Sequence, residues 1–181
     1  MKPKANRTGK PSLDQCQTPA YAIRPLLPYL RKEWLVWEPA CGKGYMMGAL
    51  YEAGLHVIGS DILGGHDFFY WQPDVYDCIV TNPPYSIKPK WLGRCYDLGK
   101  PFALLMPVEF IGTKGAQTLF RQHGIEVIWL SERINFEMPE KGFDGAGAQF
   151  PVAWYCWGLN IGQQMTFYEF EPSAQMRIPG L

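Results

Sequence analysis

Residues 34–44, WLVWEPACGKG, decide the fold of this chain. The stretch begins as an apolar, β-rich run and ends in a glycine-containing loop that leads into a segment of helix length. Further runs of the strand type follow, and segments of helix length separate most of them. The strand candidates are WLVWE (34–38), HVIGS (56–60), CIVTN (78–82), FALLMP (102–107), EVIWL (126–130) and VAWYCW (152–157). This alternation predicts an α/β fold with a mostly parallel, doubly wound sheet.

Glycines mark the ends of three predicted helices, and Pro25 and Pro28 would interrupt the first one. The helical candidates are roughly 18–31, 43–53, 86–98 and 114–123. Gly54, Gly99 and Gly124 stand just past the last three, where glycine commonly ends a helix. No helical period connects the last two strand candidates, so we expect these strands to pair as an antiparallel hairpin with a long loop.

Composition favours one soluble domain. The chain has 181 residues, of which 47% are hydrophobic, enough for a single core of ordinary size. Its five cysteines are widely separated and lack metal-ligand spacing, so we expect reduced thiols and no metal site. No apolar run approaches membrane-spanning length, and the first residues lack the apolar part of a secretory signal. We therefore expect a cytoplasmic protein with a flexible basic tail at 1–13, one domain at 14–172 and a tail at 173–181.

The formal net charge is zero, which by itself disfavours a nucleic-acid partner. The charge is unevenly spread, however, because four basic residues precede the first acidic residue, Asp14, and give residues 1–13 a charge of +4. Lys88, Lys90 and Arg94 form a second basic cluster. On charge alone, both clusters fit a solvated tail and a solvated helix face as well as contacts to phosphate.

The loop after the first predicted strand has the features of a nucleotide site. Gly42 and Gly44 allow a ligand to approach the backbone at the carboxyl edge of the sheet. Met47 occupies the position of the third glycine in the dinucleotide fingerprint, which disfavours a pyrophosphate cradle. Asp61, after the second strand, could accept both ribose hydroxyls, and Asp67 could accept from an adenine amino group.

Phe68 would then pack on the adenine base. Taken singly, Asp61 could equally be a turn residue or helix cap, and Asp67 could form an Asx turn. Together with the glycine loop, these three residues indicate an adenosine site.

The tetrapeptide Asn82-Pro83-Pro84-Tyr85 follows the third predicted strand, at the same edge of the sheet. The prolines keep the backbone extended and leave carbonyl groups free to accept hydrogen bonds. If Asn82 and Pro83 each accept one N–H of a planar amine, the nitrogen lone pair is aimed at an electrophilic methyl group. Tyr85 supplies a ring for stacking. A simple Pro-Pro turn is the alternative, but the position at a strand end favours catalysis.

These motifs resemble those of class I amino-methyltransferases, specifically the adenine-N6 DNA methyltransferases that carry an NPPY tetrapeptide. The resemblance covers most of residues 14–158 and implies S-adenosylmethionine as cofactor. It also implies the class I fold, a mostly parallel Rossmann-like sheet with a terminal antiparallel hairpin. The catalytic residues implied are Asn82, Pro83, Pro84 and Tyr85. The cofactor-binding residues implied are Thr18, Pro19, Glu38, Pro39, Ala40, Cys41, Gly42, Gly44, Asp61, Ile62, Asp67, Phe68 and Asn82.

Thr18-Pro19 precede the glycine loop and the tetrapeptide follows it, an order that resembles the gamma arrangement of this family. Enzymes of that arrangement usually carry a separate target-recognition domain. Only residues 158–181 follow the last predicted strand, so we expect readout from something small, and the 131–151 loop is the best candidate. That loop could equally be an ordinary hairpin loop with one or two rings on the core. The substrate-binding candidates are Lys88, Lys90, Arg94, Arg133, Phe136, Lys141 and Phe143.

The acceptor predicted from the resemblance is N6 of adenine in DNA, and the partner is therefore DNA. An adenine in RNA or a glutamine amide in a protein remains open, since each presents a planar NH2 group. A cofactor-binding subunit that is active only with a specificity partner is a further possibility. By analogy, a compact enzyme of this kind suits a bacteriophage or a restriction-modification system.

Overall fold

The computed structural model describes residues 16–137, 150–162 and 165–168. The predicted tails and the substrate candidates Lys141 and Phe143 lie outside these residues. The strands are β1 (Leu35–Glu38), β2 (His56–Gly59), β3 (Cys78–Thr81), β4 (Phe102–Pro107), β5 (Glu126–Leu130), β6 (Val152–Trp157) and β7 (Met165–Tyr168). The α-helices are α1 (Tyr45–Glu52), α2 (Lys88–Leu98) and α3 (Lys114–His123), and 3₁₀ helices cover Ala20–Tyr29, Ile62–Gly64, Tyr85–Ile87 and Val108–Gly112.

One seven-stranded sheet has the order β2-β1-β3-β4-β6-β5-β7. The pairs β1–β2, β1–β3, β3–β4 and β5–β7 are parallel, whereas β6 runs antiparallel to both of its neighbours, β4 and β5. The predicted antiparallel pairing of the fifth and sixth strands is therefore confirmed, and so is the α/β fold class. Strand β7 was not predicted, and it extends the sheet beyond β5.

The first helical candidate, 18–31, is helical over part of its length, but its two prolines make it a 3₁₀ helix instead of an α-helix. The structure has a 3₁₀ helix over Ala20–Tyr29 with Pro25 and Pro28 inside it. Proline has no N–H to donate and its ring clashes with the carbonyl four residues earlier, so an α-helix cannot run through this segment. The i to i+3 pattern of a 3₁₀ helix accommodates it.

Both faces of the sheet are covered. On one face, Ala22 and Leu26 of the first 3₁₀ helix and Leu50 of α1 are buried in one core cluster. On the other face, Trp91 and Leu92 of α2 belong to a second cluster. All six residues of β4 are buried, which fits a central strand packed on both sides. The sheet is therefore a rigid support, and ligands are expected at its carboxyl edge.

Candidate active site

Three neighbouring parallel strands end at one edge of the sheet. Strand β1 lies between β2 and β3, and its last residue, Glu38, pairs with Gly59 at the end of β2. Ser60 and Asp61 follow β2, and Asn82 follows β3. The structure thus brings the glycine loop, the predicted ribose-binding acid and the tetrapeptide to the same edge, as parallel pairing requires.

The glycine loop folds back onto the end of β2. The Cys41 amide donates to the Ser60 carbonyl at 3.0 Å, and the Gly42 amide donates to Oδ2 of Asp61 at 3.1 Å. Gly42 and Gly44 have φ angles of 50° and 82°, in the left-handed region that favours glycine. Gly44 is also the N-cap residue of α1, and a Cβ atom added to it would meet no atom within 4 Å. The backbone at Gly44 therefore faces open space, whereas the Gln17 side chain covers the corresponding side of Gly42.

Glu38 is buried at the bottom of this loop. Its Oε2 atom has no hydrogen-bond partner among the described residues, and the Met47 amide donates to its carboxylate. Burial, reinforced by the like charge of Asp61, raises the pKa of Glu38 to about 8. A buried carboxyl group with an unused oxygen is an acceptor placed for a cationic or N–H-bearing ligand. Pro39 is buried behind it, and Ala40 is half-buried.

Asp61 has two backbone partners. Oδ1 accepts from the Leu63 amide at 2.9 Å, so Asp61 caps the 3₁₀ helix Ile62–Gly64, while Oδ2 holds Gly42. Each carboxylate oxygen keeps a further lone pair for a ligand. Ile62 itself is largely exposed. The cap that the sequence allowed is present, and it fixes Asp61 beside the glycine loop.

Asp67 forms the Asx turn that the sequence allowed, since its Oδ1 accepts from the Phe69 amide at 2.9 Å. Phe68 is buried and stacks on Trp91 of α2, with ring centroids 4.1 Å apart and ring planes 9° apart. The ring that we expected to pack on a base therefore has one face on Trp91. Trp91 was not predicted to lie near the site, because that contact joins α2 to a loop 23 residues earlier.

The tetrapeptide lies between β3 and α2. Oδ1 of Asn82 is buried and has no hydrogen-bond partner among the described residues. Pro84 has an extended conformation, with φ −55° and ψ 120°, and Pro83 is buried. Tyr85 begins a 3₁₀ turn, and its ring meets the Phe150 ring edge-on at a centroid distance of 5.8 Å. The amide oxygen of Asn82 is therefore available to a donor that enters the crevice.

The predicted cofactor-binding residues Thr18 and Pro19 follow a residue, Gln17, that contacts the glycine loop. Thr18 and Pro19 are buried at the start of the first 3₁₀ helix. The residue before them, Gln17, accepts from the Lys43 amide at 2.8 Å through its side chain. Thr18 and Pro19 were predicted from the sequence but Gln17 was not, since a contact across 26 residues leaves no local pattern.

Some of the predicted substrate-binding residues are accessible to a substrate and one is buried. Lys88 and Arg94 are half-buried on α2, Lys90 is exposed, and a terminal guanidinium nitrogen of Arg94 donates to Gln72 Oε1 at 3.1 Å. The Lys88 ammonium lies 5.8 Å from the Tyr85 ring centroid. Beyond β5, Arg133 is exposed.

Phe136 is buried in the core, so it presents no face to a substrate in this arrangement. Its ring follows the alternative that the sequence left open for the 131–151 loop, in which one or two rings fold onto the core.

Neither a metal site nor a membrane span appears within the described ranges. Across 16–137, 150–162 and 165–168, no three His, Cys, Asp or Glu side chains are grouped so that they could hold a metal ion. The helices of these ranges are too short or too polar to cross a membrane.

The residues at this edge fit S-adenosylmethionine. That cofactor carries an ammonium group, ribose hydroxyls and an adenine amine, all of which donate hydrogen bonds. The edge offers matching acceptors in the unused Oε2 of Glu38 and the carboxylate of Asp61. Open space over Gly44 lets a ligand lie against the backbone. A cationic adenosine derivative requires hydrogen-bond acceptors and a loop whose backbone it can approach, and this edge has both.

Comparison with known proteins supports the fold. No family model matches the chain, and no curated protein matches it. The structure is similar to a Listeria monocytogenes protein provisionally named a class I S-adenosylmethionine-dependent methyltransferase, with 12% identity, 91% of this chain and 70% of that chain covered, and a TM-score of 0.57. It is also similar to a Pyrococcus horikoshii protein provisionally named an RNA methyltransferase, with 13% identity, 76% and 77% covered, and a TM-score of 0.53. The chain therefore has the class I methyltransferase fold.

Proposed function

We propose that this protein is an S-adenosylmethionine-dependent N-methyltransferase that acts on the exocyclic N6 amine of adenine in DNA. The observation that carries the proposal is the Asn82 side chain, whose buried Oδ1 atom lacks a hydrogen-bond partner in the described part of the chain. A buried acceptor in this state costs free energy unless a ligand supplies the donor. It lies at the end of β3, directly beside the strand that ends in Glu38.

The cofactor would be held by the glycine loop and the acids around it. Glu38 and Asp61 would accept from its amino group and ribose hydroxyls. The cofactor would lie over the open backbone at Gly44, and Gly42 would shape the turn beneath it. Thr18, Pro19, Asp67 and the loop residues between Glu38 and Gly44 would complete the pocket. When bound, S-adenosylmethionine supplies an electrophilic methyl group on a positively charged sulfur.

The tetrapeptide would prepare the acceptor nitrogen. The lone pair of an exocyclic adenine amine is delocalised into the ring, so the free amine is a poor nucleophile. Asn82 Oδ1 and the Pro83 carbonyl would each accept one N–H, which directs the lone pair toward the methyl group and stabilises positive charge that develops on nitrogen. The extended backbone at Pro84 keeps these acceptors in place, and the Tyr85 ring would stack on the base.

A nucleic acid is favoured over a protein amide by the charges that follow the tetrapeptide. Lys88, Lys90 and Arg94 all lie on α2, within two to three turns of Tyr85. Phosphate contacts of this kind position a nucleic acid without reading its sequence. A base must also leave the helix to reach Asn82, as enzymes that modify bases require. RNA adenine and a glutamine amide are the alternative acceptors.

Methyl transfer from labelled S-adenosylmethionine to duplex DNA, single-stranded DNA, RNA and protein extract, followed by digestion of the product, tests the proposal. We expect N6-methyladenine in DNA. Label confined to RNA or protein would overturn the acceptor. Absence of label in every fraction, with cofactor binding intact, would favour a subunit that needs a specificity partner.

The Asn82→Ala variant tests the mechanism. We expect kcat to fall at least about 100-fold, the size of effect seen when one oriented hydrogen-bonding group is removed from a transition state. The dissociation constant for S-adenosylmethionine should change by less than about threefold, because the proposed role of Asn82 is mainly with the acceptor. Gln122→Ala, an exposed amide on α3, is the matched control. Full activity of Asn82→Ala would refute this role.

A further inference from the structure

Two segments that are far apart in the chain meet at the glycine loop. Gln17 and Glu137 form an antiparallel bridge in which each amide donates to the other's carbonyl at 3.0 Å. Their side chains both reach Lys43. Gln17 Oε1 accepts from the Lys43 amide at 2.8 Å, and Glu137 Oε1 lies 3.3 Å from Lys43 Nζ. The pair thus holds Lys43 by its backbone and by its side chain.

The Gln17 side chain also packs against the turn at Gly42. A Cβ atom at Gly42 would lie 2.7 Å from Gln17 Nε2, so the Gln17 amide rests directly on this glycine. On the opposite side, Asp61 accepts from the Gly42 amide. The turn is therefore clamped between the end of β2 and Gln17.

Glu137 places a sheltered negative charge beside the loop. The exposed fraction of the Glu137 side chain is 13%, against 55% for Lys43. The hydroxyl of Tyr45, the first residue of α1, also donates to the Glu137 carboxylate, and this hydrogen bond raises the pKa of Tyr45. The Glu137 carboxylate therefore contacts both Lys43, in the glycine loop, and Tyr45, at the start of α1.

We propose that Gln17 and Glu137 are positioning residues that form a strap over the glycine loop and make cofactor affinity depend on the charge of Glu137. The proposal rests on the proposed function, since it takes the ligand of the loop to be S-adenosylmethionine. Without the carboxylate, the Lys43 ammonium would stand uncompensated on the loop that would bind a cofactor with a positive sulfur. A bridge with only a structural role would affect all ligands of the loop alike.

The effect of the Glu137 charge on ligand binding distinguishes an electrostatic role from a purely structural one. S-adenosylhomocysteine lacks the methyl group on sulfur and therefore the positive charge, but it keeps the other groups of the cofactor. A substitution at Glu137 that weakens the two ligands unequally therefore reports the charge on sulfur. We expect Glu137→Gln to weaken S-adenosylmethionine binding about three- to tenfold and S-adenosylhomocysteine binding less than about twofold, measured by calorimetry. Adding Lys43→Met to the same protein should restore the lost affinity. Glu52→Gln, an exposed acid at the end of α1, is the control.

Equal weakening of both ligands, or no rescue by Lys43→Met, would overturn the charge role. A wild-type protein that binds neither ligand would instead defeat the proposed function.

Hydrogen exchange tests the clamp without any ligand. In Gln17→Ala, the Lys43 amide loses its acceptor and should exchange at least about tenfold faster, and the Gly42 amide should follow because its turn is no longer held. Gln122→Ala again serves as control. Unchanged exchange at Gly42 would refute positioning by Gln17, whatever the cofactor measurements give.

Discussion

The cofactor-free protein should become less stable as the pH rises through neutrality, and one residue, Glu38, should cause most of the change. Burial raises the pKa of this carboxyl group from 4.5 to about 8. The hydrogen bond from the Met47 amide lowers this pKa, and the negative charge of Asp61 raises it further. Between these pH values the folded protein keeps a proton that the unfolded chain has released. The free energy of unfolding therefore falls across this window, by on the order of 5 kcal/mol, and is level above it.

Urea unfolding from about pH 5 to about pH 9, with Glu38→Gln as partner variant, measures this effect. Glutamine keeps an oxygen for the Met47 amide but cannot ionise, so the variant should lack this part of the pH dependence. It should be the more stable protein at the alkaline end. All other ionisable groups are common to the two proteins, so the difference between the curves reports residue 38. Two stability curves that run parallel across the whole range would refute the assignment to Glu38.

Three further substitutions probe the edge of the sheet. Gly42→Ala should weaken S-adenosylmethionine binding at least about tenfold and also lower the unfolding temperature, because alanine is strained at a φ of 50° and its Cβ meets the Gln17 amide; calorimetry and thermal melts check this. Asp61→Asn should lower the free energy of unfolding by about 1–2 kcal/mol in urea, since an amide keeps only one of two acceptors. Lys88→Gln should reduce the salt slope of DNA binding by about one, and Lys100→Gln, after α2, should leave it unchanged.

The sheet was predictable because its strands carry their own signal. Strands β4, β5 and β6 begin and end at the predicted residues, 102–107, 126–130 and 152–157. Each is a short apolar run, and such runs are what a strand covered on both faces requires. The antiparallel direction of β6 was also predictable, because the segment before it has no helical period and so offers no crossover helix. The position of the tetrapeptide then followed from where β3 ends.

Contacts between distant segments were not predictable from periodicity. Gln17 and Glu137 are 120 residues apart in sequence, and neither belongs to a patterned element. Strand β7 has four residues, too few for a period to stand out from polar neighbours. Phe136 was assigned to the substrate by residue type, but the course of its loop turns the ring into the core. In each case tertiary packing decides, and a single sequence does not contain that information locally.

The balanced net charge of this chain hides an uneven distribution at the proposed site. Acids lie on the side of β1 and β2, where Asp61 flanks the glycine loop and the buried Glu38 would ionise when a cationic group binds beside it. Bases follow β3 on α2, and Lys88 lies 5.8 Å from the Tyr85 ring centroid. A cationic cofactor and an anionic polymer would need this opposite pairing within one crevice. Asn82 stands between the two sides as a neutral acceptor. A net charge of zero therefore does not count against a nucleic-acid substrate, because a phosphate contact depends on the local charge that faces it.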